Sequence, residues 1–516
     1  MDDSYFISVE FSTKRTKAAV FDSNASMLAS DYEELRLIYP RPDWVEQDPL
    51  DFYRSAINTI RSSLRKSKAD PKNVKAIAFS SQMAGIMGVD NNWSPVTRYD
   101  SWLDTRCIQY IDFLSNKYQD LLIDKVGAPP SVTHGPKILW WKNERKKEFD
   151  KISKFITPNC YVAGKMAGLK GEDAFMDYTF LHFTGFADSR RGEWSEELCQ
   201  LFKVPMDKFP EIVDPWKIIG ELSRAEARKL GLIKGIPIIA GAGNQATRPL
   251  GAGIVKHGMI FDSTEAASVF SCCVNEYVPD RRYRTFIMER SVIPGLWMAL
   301  SYIAGGGLCL KWFINELADI DGGTPRQSHI SIELLEKQSS KIPIGSEGLM
   351  FIPHFRGRAY PCNPKLKGVW FGLDWKHTKA HLYRSILESI AYEYFYYMTI
   401  LRKLFPELTF KESRVIGDGA DNNLWNQIKA DVLGIPYVRI RRQGIGVLGL
   451  MLIAGYGVGM YKDLARTASK ISREGEVIKP KSVNNHHYRK FAKKYLKILS
   501  NMEFLFQKID DVQPFS

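Results

Sequence analysis

The segment Gly241-Ala-Gly-Asn-Gln-Ala-Thr-Arg-Pro-Leu-Gly-Ala-Gly253 sets an adjacent amide pair, Asn244 and Gln245, among small residues. The apolar run Ile236 to Ala240 ahead of it has strand character, and glycine lets backbone come close to a ligand, so a strand is expected to deliver the pair to a cleft. Amides hold a hydroxyl by hydrogen bonds, but unlike a carboxylate they do not take the proton that a nucleophilic alcohol must lose. Two polar turns echo each other: Val9-Glu-Phe-Ser-Thr13 and Phe261-Asp-Ser-Thr-Glu265, each followed by a second strand pattern. Facing hairpins of this kind offer hydroxyl and backbone N–H donors to a polyphosphate, although Ser-Thr turns are common in proteins of every kind. His377 and His381 have the spacing of a zinc-protease helix, yet Thr378 stands at the position of the base and no third ligand is suggested. Neither a Walker A sequence nor a Ser-His-Asp arrangement can be defended.

The elements that must position these residues are mixed. Phe6 to Phe11, Lys17 to Phe21, Val74 to Phe79 and Ile236 to Ala240 read as short strands. Phe52, Ile57, Ile60 and Leu64 fall near helical spacing between Pro49 and Lys66, as do Leu382, Ile386, Ile390 and Tyr394 between Thr378 and Leu404. The mixture predicts an α/β fold. A chain of 516 residues exceeds the size at which one core keeps growing, so two large domains are expected, and 45% apolar residues suffice to fill both. No Gly-, Ser- or Pro-rich linker separates them, which predicts close contact through the region around residues 244 to 256 and a cleft between the halves.

Lys and Arg outnumber Asp and Glu by 71 to 58, a net charge of +13 that favours anionic partners such as phosphorylated metabolites. The densest basic stretch, Arg489 to Lys497, alternates with Phe491, Ala492, Tyr495 and Leu496 and reads as an amphipathic helix with a solvated face rather than a nucleic-acid site. Seven cysteines without paired CxxC spacing argue against a disulfide framework or structural zinc; Cys272 and Cys273 read as buried small residues. The chain enters a strand pattern directly after Met1-Asp-Asp-Ser, without a basic leader or apolar signal region, and the glycine-interrupted run Val447 to Met460 is too short for a membrane span. A soluble cytoplasmic protein is expected, with that run a buried core helix.

From Gly348 to Glu393 the chain reads GLMFIPHFRGRAYPCNPKLKGVWFGLDWKHTKAHLYRSILESIAYE, which resembles the signature region of the FGGY carbohydrate kinases. Trp44-Val-Glu-Gln-Asp-Pro49, Trp102-Leu-Asp-Thr-Arg106, Gly305-Gly-Gly-Leu-Cys-Leu-Lys-Trp312, Ile416-Gly-Asp-Gly-Ala420 and Trp425-Asn-Gln-Ile-Lys-Ala-Asp431 support it in order, so the resemblance spans nearly the whole chain. It implies two domains of the ribonuclease-H-like, actin-like ATPase fold with an intervening cleft: residues 1–246 binding sugar and 247–516 binding ATP. Gln82-Met-Ala-Gly85 and Trp102 with Asp104 are most similar to xylulokinases. By resemblance, Gln82, Met83, Trp102, Asp104, Asp177, Asn244 and Gln245 line a polyol pocket. For ATP the corresponding residues are Thr13, Lys14, Arg15, Ser263, Thr264, Gly305, Gly306, Gly417, Gly419, Ala420 and Asn423. The family requires Mg2+ with ATP, and Glu10 is the carboxylate that would act on it through water.

Several positions depart from the family pattern. The first loop, Asp-x-Gly-Thr-x-Ser in active relatives, is Glu10-Phe-Ser-Thr-Lys-Arg15 here, with Lys14 and Arg15 as candidate phosphate clamps. Ala84 replaces a xylulokinase histidine, Asp418 a glycine beside the nucleotide, and Gly444 a glutamate. His354 stands where relatives carry an aromatic residue, which suits packing better than catalysis. Asn244 replaces the aspartate that takes the sugar hydroxyl's proton. Phosphoryl transfer runs largely through a loose transition state, so loss of a base costs about 10² to 10⁴ rather than all turnover, and Glu10 or Asp177 are candidate substitutes. The expectation is an ATP- and Mg2+-dependent kinase of a small sugar or polyol, xylulokinase-like and slow. The alternative is a pseudokinase that binds sugar or nucleotide. A homodimer is left open, and neither a membrane nor a specific nucleic acid is expected as a partner.

Overall fold

The computed structural model describes residues 4–318, 325–473 and 475–509. A six-stranded sheet carries β1 (Tyr5–Phe11), β2 (Arg15–Asp22), β3 (Met27–Glu34), β4 (Val74–Ser81), β5 (Ile218–Glu221) and β6 (Pro237–Gly243), in the order β3-β2-β1-β4-β6-β5. A seven-stranded sheet carries β7 (Met259–Thr264), β8 (Ser268–Val274), β9 (Ile287–Arg290), β10 (Trp297–Ile303), β11 (Glu412–Ile416), β12 (Tyr437–Arg439) and β13 (Glu476–Ile478). Its order is β9-β10-β8-β7-β11-β12-β13.

The echo between the two Ser-Thr turns is therefore a repeat of topology. Read from β3, neighbouring strands of the first sheet pair antiparallel, antiparallel, parallel, parallel, antiparallel. Read from β10, the second sheet gives the same series, with β9 added beyond β10. Both faces of the central strand β7 are covered, so every residue is buried, the apolar Met259 to Phe261 first and then Asp262, Ser263 and Thr264. Edge strand β3 has only half-buried and exposed residues instead.

The helices form where the spacing places them. In α1 (Pro49–Ser67) the Asp48 carboxylate accepts from Leu50 N–H at the N-cap and Pro49 occupies the first helical position. Phe52, Ala56, Ile60 and Leu64 make its buried stripe. The helix α2 (Asn244–Gly251) grows directly from β6, so the amide pair opens a helix rather than ending a strand. The long α3 (Lys379–Leu404) buries Ile386, Ile390 and Tyr394, and α4 (Asn423–Leu433) packs beside it. His381 caps the start of α3 through Thr378, which leaves the histidine pair a capping role.

The apolar run near Val447 forms α5 (Ile445–Gly457), buried almost all round. Its Leu448, Met451 and Leu452 share a core with Phe6, Ala76 and Ile239 of the first sheet and with Ala246 and Leu250 of α2. Thus a helix late in sequence covers a face of the sheet built from the first half. α2 and α5 cross at backbone contact: a Cβ on Gly449 would lie 1.9 Å from the Thr247 carbonyl oxygen, and one on Gly251 would lie 2.1 Å from that of Ile445. Strand β9 stitches the halves further, with Met288 N–H donating to Gly127 O at 2.8 Å and Arg290 donating to the carbonyls of Ser189 and Arg190.

The C-terminal α6 (Ser482–Ile509) buries Tyr488, Ala492, Tyr495 and Leu499 and leaves Lys493, Lys494 and Lys497 exposed. Cys272 and Cys273 are free and buried. Among the described residues, no helix is long and apolar enough to cross a membrane.

Candidate functional site

The site is built where the two hairpins approach each other. In the first, the turn between β1 and β2 is closed by Ser12, whose N–H and hydroxyl both donate to Arg15 O at 2.9 and 2.8 Å. These two bonds fix the turn that carries Thr13. Thr13 faces outward from this turn and accepts the Trp102 indole N–H at 2.8 Å. Trp102 is 46% exposed, which places it on a surface rather than in the core. Gln82 is buried behind it: its amide donates to Gln47 at 2.6 Å, and Gln47 donates onward to Thr13 O at 3.1 Å. The Gln82 carbonyl oxygen has no partner. Met83 packs over Gly243, where any side chain would collide with its thioether, so the sulfur lies immediately before Asn244.

Asn244 and Gln245 are partly exposed in the first turn of α2, at the end whose free N–H groups carry partial positive charge. Asp177 lies behind them and is fully buried. Its Oδ1 accepts from Thr179 N–H and Oγ1–H, and Thr179 Oγ1 accepts from Gly243 N–H at 2.9 Å. Its Oδ2 has no partner, and burial pushes the carboxyl up to about 7. Asp177 therefore caps a turn and props the residue before Asn244. The buried Glu289 of β9, whose oxygens are also unpartnered, is held well above the usual carboxylate range by burial and by Asp177.

Asp104 departs most from the expected role. It is enclosed, accepting from Val45 N–H at 2.7 Å and from Arg106 Nη2 at 2.6 Å, while Arg106 also reaches Glu46 and stacks 3.8 Å from the Trp44 ring. Its carboxylate is taken up by this network and has no exposed surface. Its structural task is to hold the loop that presents Trp102.

The second hairpin gathers the glycine clusters. A Cβ on Gly306 would meet Ser268, one on Gly307 the Glu265 carbonyl at 1.8 Å, one on Gly417 the Thr264 carbonyl at 2.9 Å, and one on Gly419 the Thr264 side chain. Glycine at these positions lets two distant loops close on one turn. Gly305 is open. Ser263 and Thr264 are buried, with the Thr264 hydroxyl directed to Asp262 and Ser268 at 3.3 Å. Ala420 is buried and holds Asn426 through its carbonyl, and Asn423 accepts from Arg439. Asp418 projects to solvent, where Lys311 pairs with it at 3.1 Å and offsets the added negative charge.

Charge in the middle is arranged around Glu10 by Lys17 and Arg248, two residues the sequence motifs did not mark. Glu10 lies opposite Lys17 across β1 and β2. A Cβ on Gly446 would sit 2.9 Å from Glu10 Oε2 and one on Gly444 3.4 Å from Lys17 Nζ, so both side chains reach the start of α5. Burial lowers the Lys17 pKa against the opposing pull of Glu10. Arg248 spans the gap, 3.4 Å from Glu10 and 3.5 Å from Glu265 at the tip of the second hairpin. Lys14 is exposed, and Arg15 lies over Tyr32 at the edge of the first sheet. The opposite number of Glu10, Asp262, is neutralised by Lys429 at 2.6 Å and bound by the Tyr394 hydroxyl at 2.8 Å. No group of three or more His, Cys, Asp or Glu is placed to hold a metal among the described residues. Glu10 is a carboxylate of the kind that would act through water on an Mg2+ carried by phosphate oxygens.

Comparison with known proteins agrees with this architecture. The xylulose kinase of Bacillus subtilis (strain 168) is 25% identical over 97% of this chain and 98% of its own. The gluconokinase of the same organism is 25% identical over 88% of each chain, and the glycerol kinase of Borrelia hermsii 25% over 92% and 94%. Among solved structures, ligand-bound xylulose kinase from Lactobacillus acidophilus superposes with a TM-score of 0.88 over 98% of this chain and all of its own, at 21% identity. Plasmodium falciparum glycerol kinase with ADP gives 0.86 over 97% and 98%, at 19%. These likenesses show the two-domain, actin-like ATPase fold. Residues 5–251 match the N-terminal domain and residues 273–458 the C-terminal domain of the FGGY family of carbohydrate kinases. With both domain models matched along most of its length, the chain belongs to the FGGY carbohydrate kinases, phosphotransferases with an alcohol group as acceptor.

Proposed function

We propose that this protein transfers the γ-phosphoryl group of ATP to a hydroxyl of a small sugar or polyol, in the manner of the xylulose kinases it resembles, with residues 1–246 holding the sugar and 247–516 the nucleotide. The observation that carries this reading is the Trp102–Thr13 hydrogen bond, which joins the sugar side of the cleft to the first phosphate-facing turn. Asn244 and Gln245 orient the acceptor hydroxyl by hydrogen bonds, with Trp102 as an apolar wall. Met83 fixes the approach of the segment through Gly243. Thr13 and the backbone of the second hairpin face the phosphates, and the loops of Gly305 and Gly417 admit the nucleotide. Mg2+, bound to the phosphates, supplies neutralisation of the charge that gathers on the leaving oxygen. Asn244 takes no proton, so the hydroxyl proton leaves to water, and turnover is slow by about 10² to 10⁴ relative to a site with a base.

Asn244 itself favours a second reading, a sugar or nucleotide binder without turnover. ADP release by purified protein with ATP and Mg2+, across ketoses, aldoses and polyols, separates the two. Sugar-dependent ADP above the ATP-only background supports the kinase and ranks its acceptors. Absence of such release, with ATP or a sugar still raising the melting temperature, supports the binder.

A further inference from the structure

We infer that Arg248 binds the transferring γ-phosphoryl group, as a cation supplied from the same helix as the acceptor-binding amide. Arg248 follows Asn244 by four residues in α2, which puts both on one face of the helix. Its guanidinium reaches between the two hairpins, 3.4 Å from Glu10 Oε1 and 3.5 Å from Glu265 Oε1. Both contacts are long for charge-assisted pairs, which close to about 2.7 to 2.9 Å when the fork engages a carboxylate squarely. The guanidinium is thus held between the two hairpins without being saturated, and three of its five N–H donors remain for an incoming anion. Its side chain is 27% exposed, so it is within reach of solvent and ligand.

The surrounding charges favour the exchange. Glu10 keeps Lys17 as a neighbour when Arg248 turns away, and Glu265, 52% exposed, returns to water at little cost. A planar fork matches two phosphoryl oxygens, as it does in phosphate recognition generally. During transfer the acceptor oxygen bonds to the γ-phosphorus as the bond to the β,γ-bridging oxygen breaks. ADP departs with that oxygen, and the hydroxyl proton passes to water. Charge on the three γ-phosphoryl oxygens is what Arg248 neutralises, one helical turn from the amide that positions the acceptor. This inference rests on the kinase reading, but one of its consequences does not need turnover: the cation recognises the third phosphate and not the first two.

The test is titration of wild type, Arg248→Ala and Arg248→Lys with ADP and with a non-hydrolysable ATP analogue, each with Mg2+. In the wild type the analogue should bind more tightly than ADP. In Arg248→Ala that advantage should vanish while ADP affinity stays within about twofold, and Arg248→Lys, which keeps charge without the fork, should fall between. With an acceptor sugar, kcat of Arg248→Ala should drop by about 10² or more and recover in part with added guanidinium. Equal weakening of ADP and analogue would show a latch between hairpins, and an unchanged preference an inert side chain; either result overturns the inference. Failure of the kinase reading shows separately, as no sugar-dependent ADP from wild type. Should Arg248→Ala fail to fold, the Arg248→Lys preference decides by itself.

Discussion

The indole N–H of Trp102 donates to Thr13 Oγ1 at 2.8 Å, although 89 residues separate them. In the proposed site this bond would tie the side that takes the acceptor to the turn that takes phosphate. Trp102→Phe removes the bond and keeps the ring. Because Trp102 is half exposed, the melting temperature should move by no more than about 2 to 4 °C. The KM values for sugar and for ATP should both rise, by about three- to tenfold. A rise confined to the sugar would show that the bond carries nothing between the two sides.

Asp177 predicts a pH dependence of stability. Burial raises its carboxyl from 3.8 to about 7, so the folded protein keeps a proton that the unfolded chain releases near pH 4. Folded protein then binds more protons between these values, and stability falls as pH rises through that window, by at most about 1.4 kcal/mol per pH unit for this group. Glu289 acts in the same direction. Asp177→Asn should flatten the decline in denaturation midpoint between about pH 5 and 7. An undiminished slope would mean that Asp177 does not hold the proton.

Arg106 is buried among Asp104, Asp100 and Glu46. Its removal leaves charges without a partner, and Arg106→Ala should lose about 3 to 5 kcal/mol in urea unfolding. Asp104→Asn should also act through stability, with sugar KM changed less than about threefold in the protein that remains folded. A large KM effect on a stable fold would place Asp104 in contact with substrate after all.

Lys311 and Asp418 form an exposed pair, worth about 0 to 1 kcal/mol by itself. Its importance is the sign of charge near the proposed nucleotide loop. Lys311→Ala should raise the ATP KM about two- to fivefold, and Asp418→Gly in the same background should restore it. No rise in the single variant would show that Asp418 lies too far from the phosphates to be felt.

Much of the scaffold was legible because its elements are strongly patterned. The runs at Phe6, Val74 and Ile236 became β1, β4 and β6, and the capped, periodic segments became α1 and α3. Short strands such as β12 and β13, three residues each, gave no comparable period. Within the site, the motif order located the two turns and the glycine loops that close on them. Partners contributed from far away were not legible: Arg106 taking Asp104, Lys429 taking Asp262, and Glu289 approaching Asp177 depend on long-range packing. Lys17 and Arg248 carried a signal that was available, the first as the cross-strand neighbour of Glu10 and the second as the residue four after Asn244. The second needed the amide pair to start a helix, where the glycine-rich context suggested a strand end.

A kinase whose acceptor site holds an amide in place of a base is tested most directly by sugar-dependent ADP release from wild type and Asn244→Asp side by side. The expected result is slow but measurable turnover in the wild type and a higher kcat in Asn244→Asp, by up to about 10² to 10⁴, since an otherwise competent site regains its proton acceptor. Turnover in neither, while ATP or sugar still raises the melting temperature, would contradict a kinase and leave a binding protein on a kinase fold.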